Sequence, residues 1–561
     1  MDIWQVEKAT GNPLTDAYLS GDPKVRCRYE YMAADQADMV RRAAQVEAQF
    51  DHERRTKLTA ALRSYAASVT GLRPGVETLL QKLADPRSVV VVTGQQAGLF
   101  TGPLYTLYKA MSTVAFARRY EALLQRPVVP VFWAATEDHD FDEVASAFFV
   151  SASGSLERAQ LWERPVGRAP VGEHAVGDEE LNRLMTLLAT RLPDGMYKQE
   201  VLDTIYRAYH ETDNMGDAFN HLLCAWLGEL PILTMNPVRP ELRSLVRDAF
   251  ATVLHDPKRF RDAALAGAKA VRDLGYEPQV DVQPVHSLLY LVEGGRRLAL
   301  NFSEDHEGSF LLRDSDITIT KSELLDRLQQ SPEDFSSGVL FRPVVQDHLL
   351  PVLAYVGGPA EIAYHGMAKE VFAASGRTIP PLLLRERVTV IPRNVQSALR
   401  RLEVSLEDAL DRDLLPELLV RSLRPAPDEV IGRMTDAMRQ TLAEANPYFT
   451  VIDPALETAM DKTSRTIEQA FVRLQFRTST ALMRQQNDVV QAAHTLSVWL
   501  RPKDTDQERV LTPLSVIAKY GSGWLSKLCD RTLCSGRHMT FVNLADTAEP
   551  GAHERGRDIH V

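Results

Sequence analysis

Val89-Val-Val-Val-Thr-Gly-Gln-Gln-Ala-Gly-Leu-Phe-Thr-Gly-Pro-Leu-Tyr-Thr-Leu-Tyr-Lys109 decides the fold. Four valines and a threonine read as a strand buried on both faces. Gly94, Gly98 and Gly102 make a turn, and a helical pattern follows from Pro103 to Ala122. Val128 to Ala134, between Pro127 and Thr136, reads as a second buried strand. Strand, helix and strand make a βαβ unit, hence a parallel sheet with a right-handed crossover. The turn is neither GxxxxGK(S/T) nor GxGxxG, which disfavours a P-loop and a dinucleotide site. Gln95 and Gln96 add side-chain amides, so the loop is expected to read a small polar ligand.

Working outward, Asp35 to Ser68 is charged and helical without Pro or Gly. Ala145 to Leu161 alternates like a smaller sheet, and helical patterns cover Glu180 to Leu192, Gln199 to Leu230 and Glu241 to Leu274. Pro231 to Pro237 contains a short strand; Ser287 to Val292 and Arg297 to Phe302 flank a Gly294-Gly295 hairpin turn. Val352 to Val356 followed by Gly357-Gly358-Pro359 repeats the opening design and is expected to rejoin the parallel sheet. Beyond Pro392 the pattern is helical, with Pro447 expected to end one helix and Asp453 to cap the next. From Pro454 to Leu500 there is no Pro or Gly, which predicts one helix roughly 70 Å long at about 1.5 Å per residue. Leu456, Met460, Ile467, Phe471, Leu474, Leu482, Val489, Leu496 and Leu500 fall at near-heptad spacing, so this helix must pack against another. An intramolecular bundle and a dimerising arm are both open on this pattern. The expected class is α/β: a Rossmann-like parallel core with inserted connecting segments and a C-terminal α-helical coiled-coil arm. The divisions are 1–144, 145–335, 336–392, 393–505 and 506–561.

The 561 residues exceed one compact core. Apolar and charged contents of 45% and 25% are those of a soluble globular protein. A formal charge of −11 argues against nucleic acid as partner. There is no secretory signal pattern and no apolar run of membrane-spanning length. Cys27, Cys224, Cys529 and Cys534 are the only cysteines, which suits reduced thiols in a cytoplasm; no zinc site is expected.

The second strand runs into Thr136-Glu-Asp-His-Asp-Phe-Asp-Glu143, with five carboxylates and one histidine in Glu137 to Glu143. Ligand sites of open parallel sheets lie at this carboxyl end. The carboxylates, Glu137, Asp138 and Asp140 among them, are candidates to hold an ammonium or Mg²⁺, and His139 to move a proton. The plain alternative is a helix N-terminus dressed with acids. An EF-hand is rejected, because Glu143 stands where the turn glycine is needed and Phe149 where the final Glu is needed. No metal ligand set is assigned. Backbone amides at Thr101 and Gly102 could take an anion at the helix start. Lys109 reads first as a solvated helix charge and second as a ligand contact. Arg342 suits an anionic group through paired donors, with a surface ion pair as the alternative. Gly94, Gln95, Gln96, Gly98, Tyr105, Trp133, Gln346, Gly357, Gly358, Glu361 and Tyr364 complete the candidate binding set, and His365 flanks it.

Val92 to Lys109 and Pro130-Val-Phe-Trp-Ala-Ala-Thr-Glu-Asp-His-Asp-Phe-Asp-Glu143 closely resemble the bacillithiol-biosynthesis cysteine ligases of the BshC family. Phe341 to Pro351, Tyr355 to Tyr364 and Pro380 to Arg385 resemble it too, and the likeness is collinear to about Gly521; the tail after Leu528 departs from it. The resemblance implies a Rossmann-like core with connecting insertions and a coiled-coil arm that makes a homodimer. It implies ligation of cysteine to the amine of glucosaminyl-malate, with Arg342 or Lys109 meeting the malate carboxylates. It also suggests activation of cysteine as an acyl-adenylate. The chain carries no HIGH-type or KMSKS-type signature, so ATP with Mg²⁺ is a candidate activating pair left open by the sequence. A nucleotidyltransferase for another small acid, or a nucleotide-sensing dimer without catalysis, would share these features.

Overall fold

The computed structural model describes residues 1–32, 35–165, 167, 169–302, 308–421, 423, 425–531 and 537–544. The chain divides into two compact units, Met1–Val390 with Gln507–Val561, and Ile391–Asp506. At the centre of the first lies a five-stranded, all-parallel sheet. Its strands are β1 (Val89–Gln96), β2 (Val128–Ala135), β3 (Leu233–Met235), β4 (Val352–Gly357) and β5 (Leu382–Leu384), in the order β5-β4-β1-β2-β3. The valine run is continuous because both faces of β1 are covered. Val90 and Val92 pack into one apolar cluster with Val129, Val131 and Trp133; Val89 and Val91 pack into another with Phe116, Leu353 and Val356. Helix α1 (Tyr105–Leu124) follows β1, and α2 (Pro359–Ala374) follows β4. The strand order reverses direction between β1 and β4, the position where open α/β sheets form a ligand crevice.

Two smaller sheets are inserted. Ser146–Val150 pairs antiparallel with Leu156–Gln160. A five-stranded antiparallel sheet runs in the order Thr318–Thr320, Ser309–Leu312, Arg296–Phe302, His286–Glu293, Phe335–Ser337. Asp2–Glu7 pairs antiparallel with His538–Asn543, so both ends of the described chain meet in one sheet.

Several expected elements are shorter than their patterns. The stretch Asp35 to Ser68 is two α-helices, Gln36–Gln49 and His52–Tyr65, because Asp51 caps a new start by accepting from Arg54 N–H. Gln199 to Leu230 likewise divides into Lys198–His210 and Met215–Leu227, with Asn214 capping the second. The helix after β1 begins at Tyr105 and not at Pro103, since Phe100 and Thr101 adopt positive φ and the chain turns once more first.

The second unit is helical. Helix α3 (Pro427–Ile452) lies against α4 (Leu456–Gln485) as an antiparallel hairpin, with Gln475 donating to Asp428 and Arg439 paired with Glu468. Pro447 lies inside α3 and does not end it. The site is exposed, so water can meet the carbonyl that loses its donor. The single helix expected to Leu500 is interrupted at Gln486 (φ −110°, ψ 41°), where α4 gives way to α5 (Asn487–Leu500). Asp453 accepts from Ala455 N–H in the turn between α3 and α4. No residue of α4 is buried, whereas Leu496, Trp499 and Leu500 of α5 are. No helix among the described residues is long and apolar enough to cross a membrane.

Candidate active site

A cavity of about 410 Å³ opens at the carboxyl ends of β1, β2 and β4. Its walls include Gly94, Gln95 and Gln96 from β1, Trp133 from β2, Tyr105 and Lys109 from α1, and Gly358, Glu361 and Tyr364 around the start of α2. Glu137, Asp138, His139 and Glu143 come from the segment after β2, and Arg342 and Gln346 from the helix Arg342–Leu349. Residues far apart in sequence thus meet because strand order places β1 beside both β2 and β4.

Lys109 is fully enclosed, which overturns its reading as a solvated charge. Its Nζ lies 2.5 Å from Glu361 Oε2 and donates to Gly94 O at 2.7 Å and Gln95 Oε1 at 2.9 Å. Glu361 also accepts from Tyr355 OH at 2.6 Å and from Gly358 N–H at 2.7 Å. Burial alone would raise the Glu361 carboxyl, but Lys109, the Gly358 N–H and Tyr355 outweigh it and hold the group below the ordinary range. Gln95 is fixed by Tyr105, whose OH accepts at 3.0 Å. This network is fully committed within the protein and ties α1, β1 and α2 together.

The acidic segment is dispersed among cations. Buried Glu137 accepts from Arg243 at 2.6 Å and from Ser337 Oγ at 3.2 Å. Asp138 accepts from Gln96 at 2.9 Å and lies 3.6 Å from Arg297. Burial pushes its carboxyl up, but Arg297 and the Gln96 amide bring it below the usual carboxylate range. Asp142 pairs outward with Arg164, and Asp140 is exposed and does not line the cavity. Among the described residues no three His, Cys, Asp or Glu side chains converge to hold a metal ion.

His139 meets a residue that the sequence pattern did not single out. Arg297 Nη1 lies 3.1 Å from His139 Nδ1, while Arg297 Nε donates to Ser336 and Nη2 to Ser337 O. An arginine N–H can only donate. Nδ1 therefore accepts, and the neutral ring carries its proton on Nε2. Asp138 Oδ1 lies 3.5 Å from the same nitrogen. Arg297 is itself stacked on Tyr290, its guanidinium carbon 3.7 Å from the ring centroid.

What remains uncommitted faces a ligand. Arg342 donates to Tyr364 OH at 3.2 Å and has no carboxylate partner among the described residues. Gln346 is 3% exposed, and its side-chain amide makes no hydrogen bond among the described residues. Trp133 Nε1 and Gln96 Oε1, on two further wall residues, also lack hydrogen-bond partners among the described residues. Arg509 stands exposed at the wall. Gly94 is required here, since a Cβ would lie 3.0 Å from Trp133 O and 3.7 Å from Gln346 Nε2.

Besides Asp140, four expected contacts lie outside the cavity wall. Gly98 and Gly102 pack on each other, a Cβ on Gly98 falling 3.1 Å from Gly102 Cα. The Gly102 N–H is taken by Leu99 O, and Thr101 is buried in the same turn, so this loop forms no anion cradle. Gly357 is buried at the end of β4, its carbonyl paired with Arg385 N–H. Arg297, Tyr290, Ser337, Arg385 and Arg509 were not anticipated. Of these, Arg385 alone lies inside a motif of the family resemblance, Pro380 to Arg385; it is held by Glu508 through two bonds of 2.8 and 2.7 Å. Cys27 is exposed, Cys224 and Cys529 are buried, and all three are free thiols; Cys534 lies outside the described residues.

Family models match almost the whole described chain. Residues 1–386 match the N-terminal Rossmann-like domain of bacillithiol biosynthesis BshC, and residues 388–544 match its C-terminal coiled-coil domain. The chain belongs to the BshC family. A BshC relative from Salinibacter ruber is 33% identical over 82% of this chain and 83% of its own length. One from Heliobacterium modesticaldum is 32% identical over 92% and 95%, and one from Bacillus licheniformis 26% identical over 94% and 97%. Each carries the name "Putative cysteine ligase BshC". The parallel core and the helical hairpin are thus the two parts of a BshC fold.

Proposed function

We propose that this chain is a carbon–nitrogen ligase that joins the carboxyl of cysteine to the amine of glucosaminyl-malate, yielding bacillithiol, in the cavity above β1, β2 and β4. The observation that carries the reading is the uncommitted donor set, Arg342 with no carboxylate partner beside the unpartnered Gln346 amide. A guanidinium without a carboxylate partner suits a carboxylate, bound through paired N–H donors. Arg342 takes a malate carboxylate, in place of Lys109, whose charge is spent on Glu361. Gln346 and Gln96 orient polar groups of the two substrates.

Amide formation from a free carboxylate is uphill in water, so cysteine must enter as an activated acyl group. ATP, acting with Mg²⁺ as a cosubstrate, is the proposed source, giving a mixed anhydride of cysteine and phosphate. The homodimer belongs to the same proposal. Val472 and Phe476 of α4 are 65% and 72% exposed, and Met483 continues their stripe; a second copy would cover it.

Thermal shift tests the cavity assignment, because a ligand that binds the native state raises Tm. Glucosaminyl-malate is expected to raise Tm, and glucosamine, lacking the malate, to raise it far less. Arg342→Ala should abolish the difference, and Arg342→Lys should not restore it, since an ammonium lacks the paired fork. Equal shifts in wild type and Arg342→Ala would remove Arg342 from the site.

A further inference from the structure

Amide formation by an amine requires a base, and the wall of the cavity contains one acid suited to be it. Of the four wall carboxylates, Glu137 is paired with Arg243, Asp138 lies beside Arg297, and Glu361 is paired with Lys109. Glu143 has no cationic partner among the described residues and is exposed at the opening. His139, its neighbour, has Nδ1 occupied by Arg297.

Resting on the ligase reading above, we propose that Glu143 is the general base that removes a proton from the attacking amine. The amine enters as an ammonium and gives one proton to the Glu143 carboxylate. The freed lone pair attacks the carbonyl carbon of activated cysteine, forming the C–N bond. The bond from that carbon to the phosphate oxygen breaks, and the phosphate leaves with the electron pair. The second nitrogen proton departs to the leaving phosphate or to solvent. Glu143 is placed for this work by the groups around it. It is close to Tyr105 on α1, whose hydroxyl is pushed up to about 12 by burial and then by Glu143. Partial desolvation at the cavity mouth raises the Glu143 carboxyl, Gln96 opposes that, Asp138 and Asp140 raise it further, and Arg342 lowers it; the outcome lies above the ordinary range. A base raised toward neutrality is better matched to an ammonium than an ion-paired carboxylate.

The test compares wild type, Glu143→Gln and Glu143→Asp in the presence of cysteine, ATP and Mg²⁺, with two acceptors: glucosaminyl-malate and hydroxylamine. Hydroxylamine is unprotonated at neutral pH and needs no base. Glu143→Gln is expected to lose roughly 100-fold or more in kcat with glucosaminyl-malate, within the usual range for general bases. It should keep near-wild-type formation of cysteinyl hydroxamate, and its kcat/KM should lose the acidic limb of the wild-type pH profile. Glu143→Asp should retain part of the rate. Wild-type turnover with an unimpaired Glu143→Gln would overturn the proposal alone, as would equal losses with both acceptors. Wild-type protein that forms no product would remove the ligase reading and this proposal with it.

Discussion

At the scale of single residues, partnership separates the chemistry from the scaffold. Lys109 and Arg342 line the same cavity, yet one is bonded to Glu361, Gly94 and Gln95 and the other, among the described residues, hydrogen-bonds through its side chain only to a tyrosine. Removing Lys109 should therefore act on stability. Lys109→Met would leave Glu361 as a buried charge without its cation, a loss of about 3–5 kcal/mol for such pairs. Urea unfolding would measure it; a change below about 1 kcal/mol would show that the pair is not held as described. In that variant the acid limb of stability should also move upward. The lowered Glu361 carboxyl contributes stability above its unfolded pKa and loses it as pH falls through the folded value, and that folded value rises without Lys109. The acidic motif after β2 was legible as a segment lining the crevice, because such a run after a buried strand is unusual. The separate fates of its members were not. Arg243 and Arg297, which hold Glu137 and His139, lie more than a hundred positions downstream on other elements. A lone arginine in a hairpin carries no periodic signal.

At the scale of elements, the two strand–glycine–helix passages were readable because both faces of β1 and β4 are buried, so apolar runs mark them. Leu233–Met235 was read as a strand but not as part of the parallel sheet, since three residues give no period to align. Helix interruptions at Phe50, Glu211 to Asn214 and Gln486 escaped the pattern because none contains Pro or Gly. Apolar spacing continues across such breaks, while capping side chains such as Asp51 and Asn214 set the new start. The arm carries its own prediction. Val472 and Phe476 stand four residues apart on α4, hence on one face, and Met483 follows on that face. If a second copy covers this stripe, wild type should sediment as a dimer, and the double substitution Val472→Glu and Phe476→Glu should leave the helical signal intact and shift sedimentation to monomer. A variant that sediments as wild type would place the copy-to-copy contact elsewhere.

At the scale of the whole molecule, buried neutral histidines should make the fold acid-sensitive. His365 is fully buried and pushed down to about 4, chiefly by burial; His348 is pushed down to about 3 and His286 to about 4, again chiefly by burial. In the unfolded chain a histidine titrates near 6.5. As pH falls below that value the unfolded state binds the proton first. Stability is therefore full above about 6.5 and declines toward 4, by on the order of 2–3 kcal/mol for His365. Tm measured from pH 7.5 to 4.5 should fall, and His365→Asn should flatten the decline; an unchanged slope would argue against a buried neutral His365. The central claim is the joining of cysteine to glucosaminyl-malate, and its most direct measurement is mass spectrometry of the product. Folded protein would be incubated with both substrates, with and without ATP and Mg²⁺. Bacillithiol formed only in the mixture with ATP and Mg²⁺, and lost with Arg342→Ala, is the predicted result. No bacillithiol from folded wild-type protein in the complete mixture would contradict the account.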